Sequence, residues 1–177
     1  TGWETYEHPK LKWQLQYPEH WVISPLRFAW QQGKDTPDVP WTELGSPSGH
    51  ESVRVSLSTD DLDTREWVKD AHSYADLSLY IEATHTEGKS VIQVTSSGDV
   101  LIDGHAGYLV ESLRYDGDSI LHRLSLFVVV GRDVYQIKVE GDPEEWDAFQ
   151  PHAYRILRSF RPAINPPQPK AVKARLR

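Results

Sequence analysis

From residue 90 to residue 140 the chain is written as apolar-rich runs separated by glycine turns, and this stretch constrains the fold more than any other. "SVIQVTSSGDVLI" (90–102) leads into "DGHAG" (103–107), and "YLVESLRY" (108–115) leads into "DGDS" (116–119). "ILHRLSLFVVV" (120–130) and "DVYQIKVE" (133–140) flank Gly131 and Arg132. Asp-Gly supplies the positive φ that a tight hairpin requires, so successive runs must fold back on one another. Each run is apolar enough to be central. The stretch therefore predicts an antiparallel meander at the heart of the fold.

The N-terminal part adds shorter strands. "GWETYEH" (2–8) is a possible first strand or ordered arm. Leu11, Trp13, Leu15 and Tyr17 then alternate with Lys12, Gln14 and Gln16, which predicts a half-buried strand over 11–17. Pro18 lacks an N–H and must end it. Glu19 and His20 make a turn, and Trp21 opens a further strand over 21–26. "ESVRVSLS" (51–58) is another, with Val53, Val55 and Leu57 on one side. Between them, residues 28–50 read as a long irregular loop punctuated by "KDTPDVP" and "GSPSG". Loops of that length in a compact domain tend to carry function or to move.

Two stretches have helical character. Residues 59–85 begin with Asp63 and, three residues on, Glu66, a capping-box pattern. Trp67, Ala71, Tyr74, Ser78 and Ile81 then form one stripe, with Val68, Ala75 and Leu79 beside it. Ala75, Leu77, Leu79 and Ile81 also alternate, so a strand in the second half is the alternative. Residues 142–160 predict a closing helix, with Asp142 as N-cap and Pro143 in the first position. Its stripe is Trp146, Phe149, Ala153, Ile156, Leu157 and Phe160, and Pro151 is a candidate kink.

Residues 1–162 are thus expected to form a single domain, large enough at this length for a proper core. Residues 163–177 form a proline-rich basic tail or linker. With no cysteine, disulfides and thiolate chemistry are excluded. Methionine is also absent, even at position 1, which leads us to expect a processed or trimmed chain. No apolar run approaches the ~20 residues that span a bilayer. A net charge of −7 argues against general nucleic-acid binding, which needs a basic face.

The strand that runs into Tyr-Pro-x-x-Trp at residues 17–21 resembles the entry of the PsbP-like family. So do "VLIDGHAGYLVE" (100–111), "GRDVYQIKV" (131–139) and "YRILRSFRP" (154–162), in that order. The resemblance spans roughly residues 4–162. It implies an α+β fold, a central antiparallel β-sheet with helices packed on both faces, shared with a fungal Ran-binding protein and with bacterial lipoproteins. It also implies that Pro18 and Trp21 form a structural corner. Members of this family are mostly not enzymes. They include extrinsic subunits or assembly factors at the lumenal face of photosystem II, and secreted lipoproteins or chaperone-like adaptors. A fold does not fix a function, so the resemblance implies a class of protein, not its partner.

Motifs for catalysis are weak. "GSPSG" (45–49) carries Pro47 where a nucleophile elbow needs serine, and no zincin, P-loop or dinucleotide motif occurs. No enzyme activity is expected. His72 and Asp76 stand at i, i+4 spacing and are the candidate ligands for a divalent metal, although a metal site needs three or four. Asp118 and His122 are four apart across a turn, and Asp60, Asp61 and Asp63 form an acidic helix start. No other cofactor is expected. The favoured reading is a non-catalytic accessory subunit that docks onto a larger, membrane-associated protein assembly outside the cytoplasm. Membrane association would come through a processed N-terminal anchor or the basic tail. The alternative is a secreted small-ligand or metal-binding protein. Candidate partner-binding residues are Trp30 and Trp41 in the long loop, His105 beside the central hairpin, and Lys170, Lys173 and Arg175 in the tail.

Overall fold

The computed structural model describes residues 2–24, 41–58, 68–85 and 90–163. Its strands are β1 (Trp3–Glu7), β2 (Gln14–Pro18), β3 (Val22–Ser24), β4 (Trp41–Gly45), β5 (Ser52–Ser58), β6 (Ser90–Ile102), β7 (His105–Asp116), β8 (Ser119–Val130) and β9 (Asp133–Gly141). The helices are α1 (Ala71–His85) and α2 (Trp146–Ser159). β1 and β2 form a two-stranded sheet, and the remaining strands form a seven-stranded sheet in the order β3-β4-β5-β9-β8-β7-β6. Every pairing is antiparallel. The expected meander is present as β6 to β9. Asp103 (φ 52) and Gly104 (φ 78) both take the left-handed conformation at its first turn, and Gly117 (φ 62) does so at the second. The Asp103-Gly104 pair does at the first turn what a tight hairpin demands, and at the second the two turn residues are Gly117 and Asp118, with the positive φ on the glycine.

Several boundaries differ from the expectations. β2 begins at Gln14 and not at Leu11, because residues 8–13 close a turn. In it, His8 donates its backbone N–H to Trp13 O at 2.9 Å, and Lys12 (φ 61) is left-handed. The stretch 28–50 is not irregular throughout. β4 lies inside it, between β3 and β5, and "GSPSG" is the turn of the β4–β5 hairpin, closed by Ser46 N–H on Glu51 O at 2.9 Å. The helical reading of 71–85 holds over the strand alternative. α1 is capped by Asp70, whose carboxylate accepts from the Ser73 N–H at 2.8 Å while Ser73 Oγ accepts from the Asp70 N–H at 3.1 Å. The anticipated Asp63/Glu66 box lies outside the described residues. Asp142 does not cap α2; it accepts from Glu144 N–H at 2.9 Å in the preceding turn, and the cap position falls to Glu145. Pro151 sits within α2 without ending it.

Alternation along β8 shows how the sheet serves two apolar clusters. Leu124, Leu126 and Val128 join Val53, Val55, Tyr135, Ile137 and Val139 in the larger cluster, with Trp146, Phe149, Ala153, Ile156 and Leu157 of α2. Trp13, Leu15, Tyr17 and Trp21 belong to the same cluster. Trp21 donates its N–H to Pro18 O at 2.9 Å and stacks on Phe149 with ring centres 6.0 Å apart, so the Tyr-Pro-x-x-Trp corner is buried. Phe127, between Leu126 and Val128, enters a smaller cluster with Val110, Val134 and, from α1, Ala71, Ala75 and Leu77. Each fully buried aliphatic or aromatic side chain contributes ~1.5–3 kcal/mol, so the α2 cluster is the main source of stability.

Candidate functional site

Burying the apolar stripe of α2 turns Arg155 and Arg158 outward, because both fall on the opposite side of the helix. Two features fix α2 against β2. Ser159 Oγ accepts from the Gln16 N–H at 2.7 Å and donates to Ile156 O at 2.7 Å. Beyond the helix, Arg161 and Gln14 exchange both backbone hydrogen bonds at 2.8 and 2.9 Å. Between the two elements lies a groove of about 440 Å³, lined by Arg155, Arg158 and Arg161 on one side and by Thr5, Gln14 and Gln16 on the other.

The guanidiniums are held in place largely by neutral groups. Arg155 lies 4.1 Å above the ring of Trp3 and Arg158 lies 5.6 Å from the ring centre of Tyr154. Arg161 donates to the carbonyl oxygens of Arg158 and Phe160, each at 2.8 Å, and lies 3.5 Å from Asp103. At the rim, Glu7 accepts from Gln14 at 2.7 Å and pairs with Lys12 at 3.2 Å, and the Gln14 hydrogen bond first, then Lys12, holds its carboxyl below the usual range. The carbonyl end of α2 offsets part of the positive charge. The result is a row of three arginines on a chain whose net charge is −7. The sequence that follows residue 163 adds Lys170, Lys173, Arg175 and Arg177 and no acidic residue.

A second concentration of charge lies between α1 and the sheet. Arg123, 2 % exposed, donates to Glu82 at 2.7 Å and pairs with Glu140 at 2.7 Å. Lys138 reaches the other oxygen of Glu82 at 3.4 Å, and Arg114 stands 3.6 Å from Glu82. Burial opposes ionisation of Glu82, but Lys138, Arg123 and Arg114 together hold its carboxyl below the ordinary value. Burial and the neighbouring Arg123 push the Lys138 ammonium down. Glu82 stands where the helical stripe was expected to place Ile81, which is 38 % exposed instead. The cations on the sheet determine which side of α1 faces inward.

The residues singled out from sequence do not converge. Trp30, Lys170, Lys173 and Arg175 lie outside the described residues. Trp41 opens β4, paired with Ser56, and so belongs to the sheet instead of a loop. His105 opens β7, half-buried and paired with Ile102. His72 stands 3.6 Å from Asp76 and stacks on Tyr108 at 4.2 Å. Among the described residues, no group of three His, Asp or Glu side chains is placed to hold a metal ion. His122 is linked not to Asp118 but to Glu111, at 3.0 Å, and lies flat against Trp146 at 4.1 Å. The groove arginines were missed, although their spacing of three in "YRILRSFR" was a readable signal for one helix side.

No protein-family model matches the chain, and comparison with curated protein sequences finds no relative. Solved structures do match in shape. Cyanobacterial PsbP from Synechocystis superposes with a TM-score of 0.69 at 16 % identity, over 91 % of this chain and 92 % of that one. A Pseudomonas aeruginosa protein of unknown function matches with a TM-score of 0.58 at 14 % identity, over 93 % and 100 %. LpqN, involved in cell envelope biogenesis of Mycobacterium tuberculosis, matches with a TM-score of 0.55 at 11 % identity, over 90 % and 89 %. With the strand order and helix placement described above, these likenesses show that the chain has the PsbP-like fold.

Proposed function

We propose that this protein is a non-catalytic accessory subunit that docks, outside the cytoplasm, onto the acidic face of a larger membrane-associated protein assembly. The observation that carries this reading is the row Arg155, Arg158 and Arg161 along one groove of an otherwise acidic molecule. Charge of one sign gathered in a groove steers encounter with a surface of the opposite sign and sets orientation. Arg155 and Arg158 are held against Trp3 and Tyr154, so little side-chain entropy is lost on binding. The basic tail extends the same charge and speeds association, while the groove supplies affinity. LpqN, with the same fold, is involved in cell envelope biogenesis, which favours an extracytoplasmic setting. The two helices, each in its own apolar cluster, are read as covers for opposite faces of the sheet, which leaves the groove as the polar docking edge.

Site-specific photocrosslinking in the source cells tests this. A photoreactive residue at Arg158 is expected to capture a protein of a membrane-associated assembly, whereas one at Asp118 in the β7–β8 turn captures none. Adducts to lipid alone from Arg158, or equal protein adducts from both positions, would count against the reading.

A further inference from the structure

Strand β6 is the outer strand of the seven-stranded sheet and, among the described residues, pairs on one side only, with β7. Over its thirteen residues the other side presents a long row of backbone N–H and C=O groups. The opposite edge of the sheet, β3, has three residues. Long edges are ordinarily blunted by lysine, proline or inward-pointing charge. Residues 90–102 contain no lysine, arginine, histidine or proline, and Asp99 is their one charged residue. Val91, Val94 and Leu101 are exposed, Leu101 to 76 %. An edge of this kind is a template for another strand.

The register with β7 decides which strand fits. Ile92, Val94, Ser97, Asp99 and Leu101 pair with even-numbered residues of β7, the face on which Val110 joins Ala71 and Ala75 of α1. Val91, Gln93, Val100 and Ile102 pair with odd-numbered ones and lie on the other face. Residues opposed across an antiparallel pair share a face. With Ser97 of one β6 opposite Ser97 of another, Leu101 meets Ile92 and Asp99 meets Val94 on the α1 face. On the other face Ile102 meets Val91, and Val100 meets Gln93. Apolar side chains therefore meet at both ends of the pairing. The two Asp99 residues stand four positions apart along the strands, about 14 Å, farther than exposed charges reach at physiological salt. The register shift between Val94 and Ser96 makes this match possible. Without the extra residue, positions 92 and 101 would face opposite ways.

We propose that β6 pairs antiparallel with β6 of a second copy of this chain, joining two sheets into one about a twofold axis at Ser97. The nearly uncharged edge offers little by which to select a foreign strand, whereas its own sequence supplies the complement. No residue of β6 lines the α2 groove, so this contact and the proposed docking can fail independently.

Sedimentation velocity of the full chain over a rising concentration series tests the proposal. The chain is expected to run as a dimer at the upper end. Ser97→Lys sets two ammonium groups opposite one another and should weaken dimerisation at least tenfold. Ser48→Lys, the same change of charge in the β4–β5 turn, should leave it unchanged. The chain has no cysteine, so Ser97→Cys carries a single thiol. Directly opposed Cα atoms on antiparallel strands lie about 4.5–5.5 Å apart, within reach of a disulfide. Mild oxidation should therefore link Ser97→Cys chains in pairs far faster than Ser48→Cys chains, a readout that serves if Ser97→Lys does not fold. A chain that stays monomeric throughout the series would overturn the proposal. So would undiminished dimerisation of Ser97→Lys, or equal crosslinking from the two cysteine variants.

Discussion

The Arg123 guanidinium and the Glu82 carboxylate meet at 2.7 Å between strand β8 and helix α1. The side chain of Arg123 is almost fully buried and that of Glu82 is half-buried, 17 % exposed. Removing one partner leaves a buried charge with reduced compensation, and that is what makes such pairs costly to break. Glu82→Gln is expected to destabilise the fold by about 3 kcal/mol. Urea unfolding followed by tryptophan fluorescence measures it. A loss below about 1 kcal/mol, the usual size for an exposed pair, would show that Glu82 is in effect a surface residue.

The same carboxyl gives a pH dependence of fixed sign. Lys138, Arg123 and Arg114 hold Glu82 below its ordinary value of 4.5 despite burial. The native state therefore releases this proton more readily than the unfolded chain. Its contribution is complete above pH 4.5 and is lost as the pH falls through the lower native value. Melting curves of the parent and of Glu82→Gln should converge on acidification. A constant gap between them down to about pH 3 would contradict the assignment.

Trp21 tests the corner. Its ring is 7 % exposed and stacked on Phe149, and Trp21→Ala should cost about 3–5 kcal/mol. An unchanged denaturation midpoint would remove it from the core.

Two glycines in neighbouring strands of the meander should behave oppositely. A Cβ at Gly107 would lie 2.9 Å from the carbonyl oxygen of Phe127, whereas one at Gly98 meets nothing within 4 Å. Gly107→Ala is expected to lose about 1–3 kcal/mol through overpacking. Gly98→Ala should stay within about 0.5 kcal/mol of the parent. Equal melting temperatures for the two variants would mean that β7 and β8 do not approach as described.

How much of this was readable from sequence follows from where the information sits. The hairpins between β6 and β9 were legible because a glycine at each turn (Gly104, Gly117 and Gly131) takes the positive φ that fixes a local conformation, and α2 because Trp146 to Phe160 keep one helical period. β4 was not, since its five residues are held by neighbours on both sides and carry no strong alternation of their own. The inner face of α1 was misjudged for a related reason. In "HRLSLF" of β8, Arg123 and Ser125 alternate with leucines, a pattern that reads as a solvated sheet face. Both are buried, and Glu82 turns inward to meet Arg123. Polar contacts between distant segments leave no periodic trace. The groove arginines have a helical spacing, but only the packing of β2 against α2 makes them one surface.

The central claim is that the arginine groove docks onto an acidic protein face, and co-sedimentation with membranes from the source cells tests it most directly. The full chain should sediment with intact membranes, be released by high salt, and fail to sediment after the membranes are treated with protease. Arg155→Glu/Arg158→Glu should bind at least tenfold more weakly at low salt while melting as the parent does. Undiminished sedimentation of the charge-reversed protein would contradict the account, and retention on protease-treated membranes would point to lipid instead.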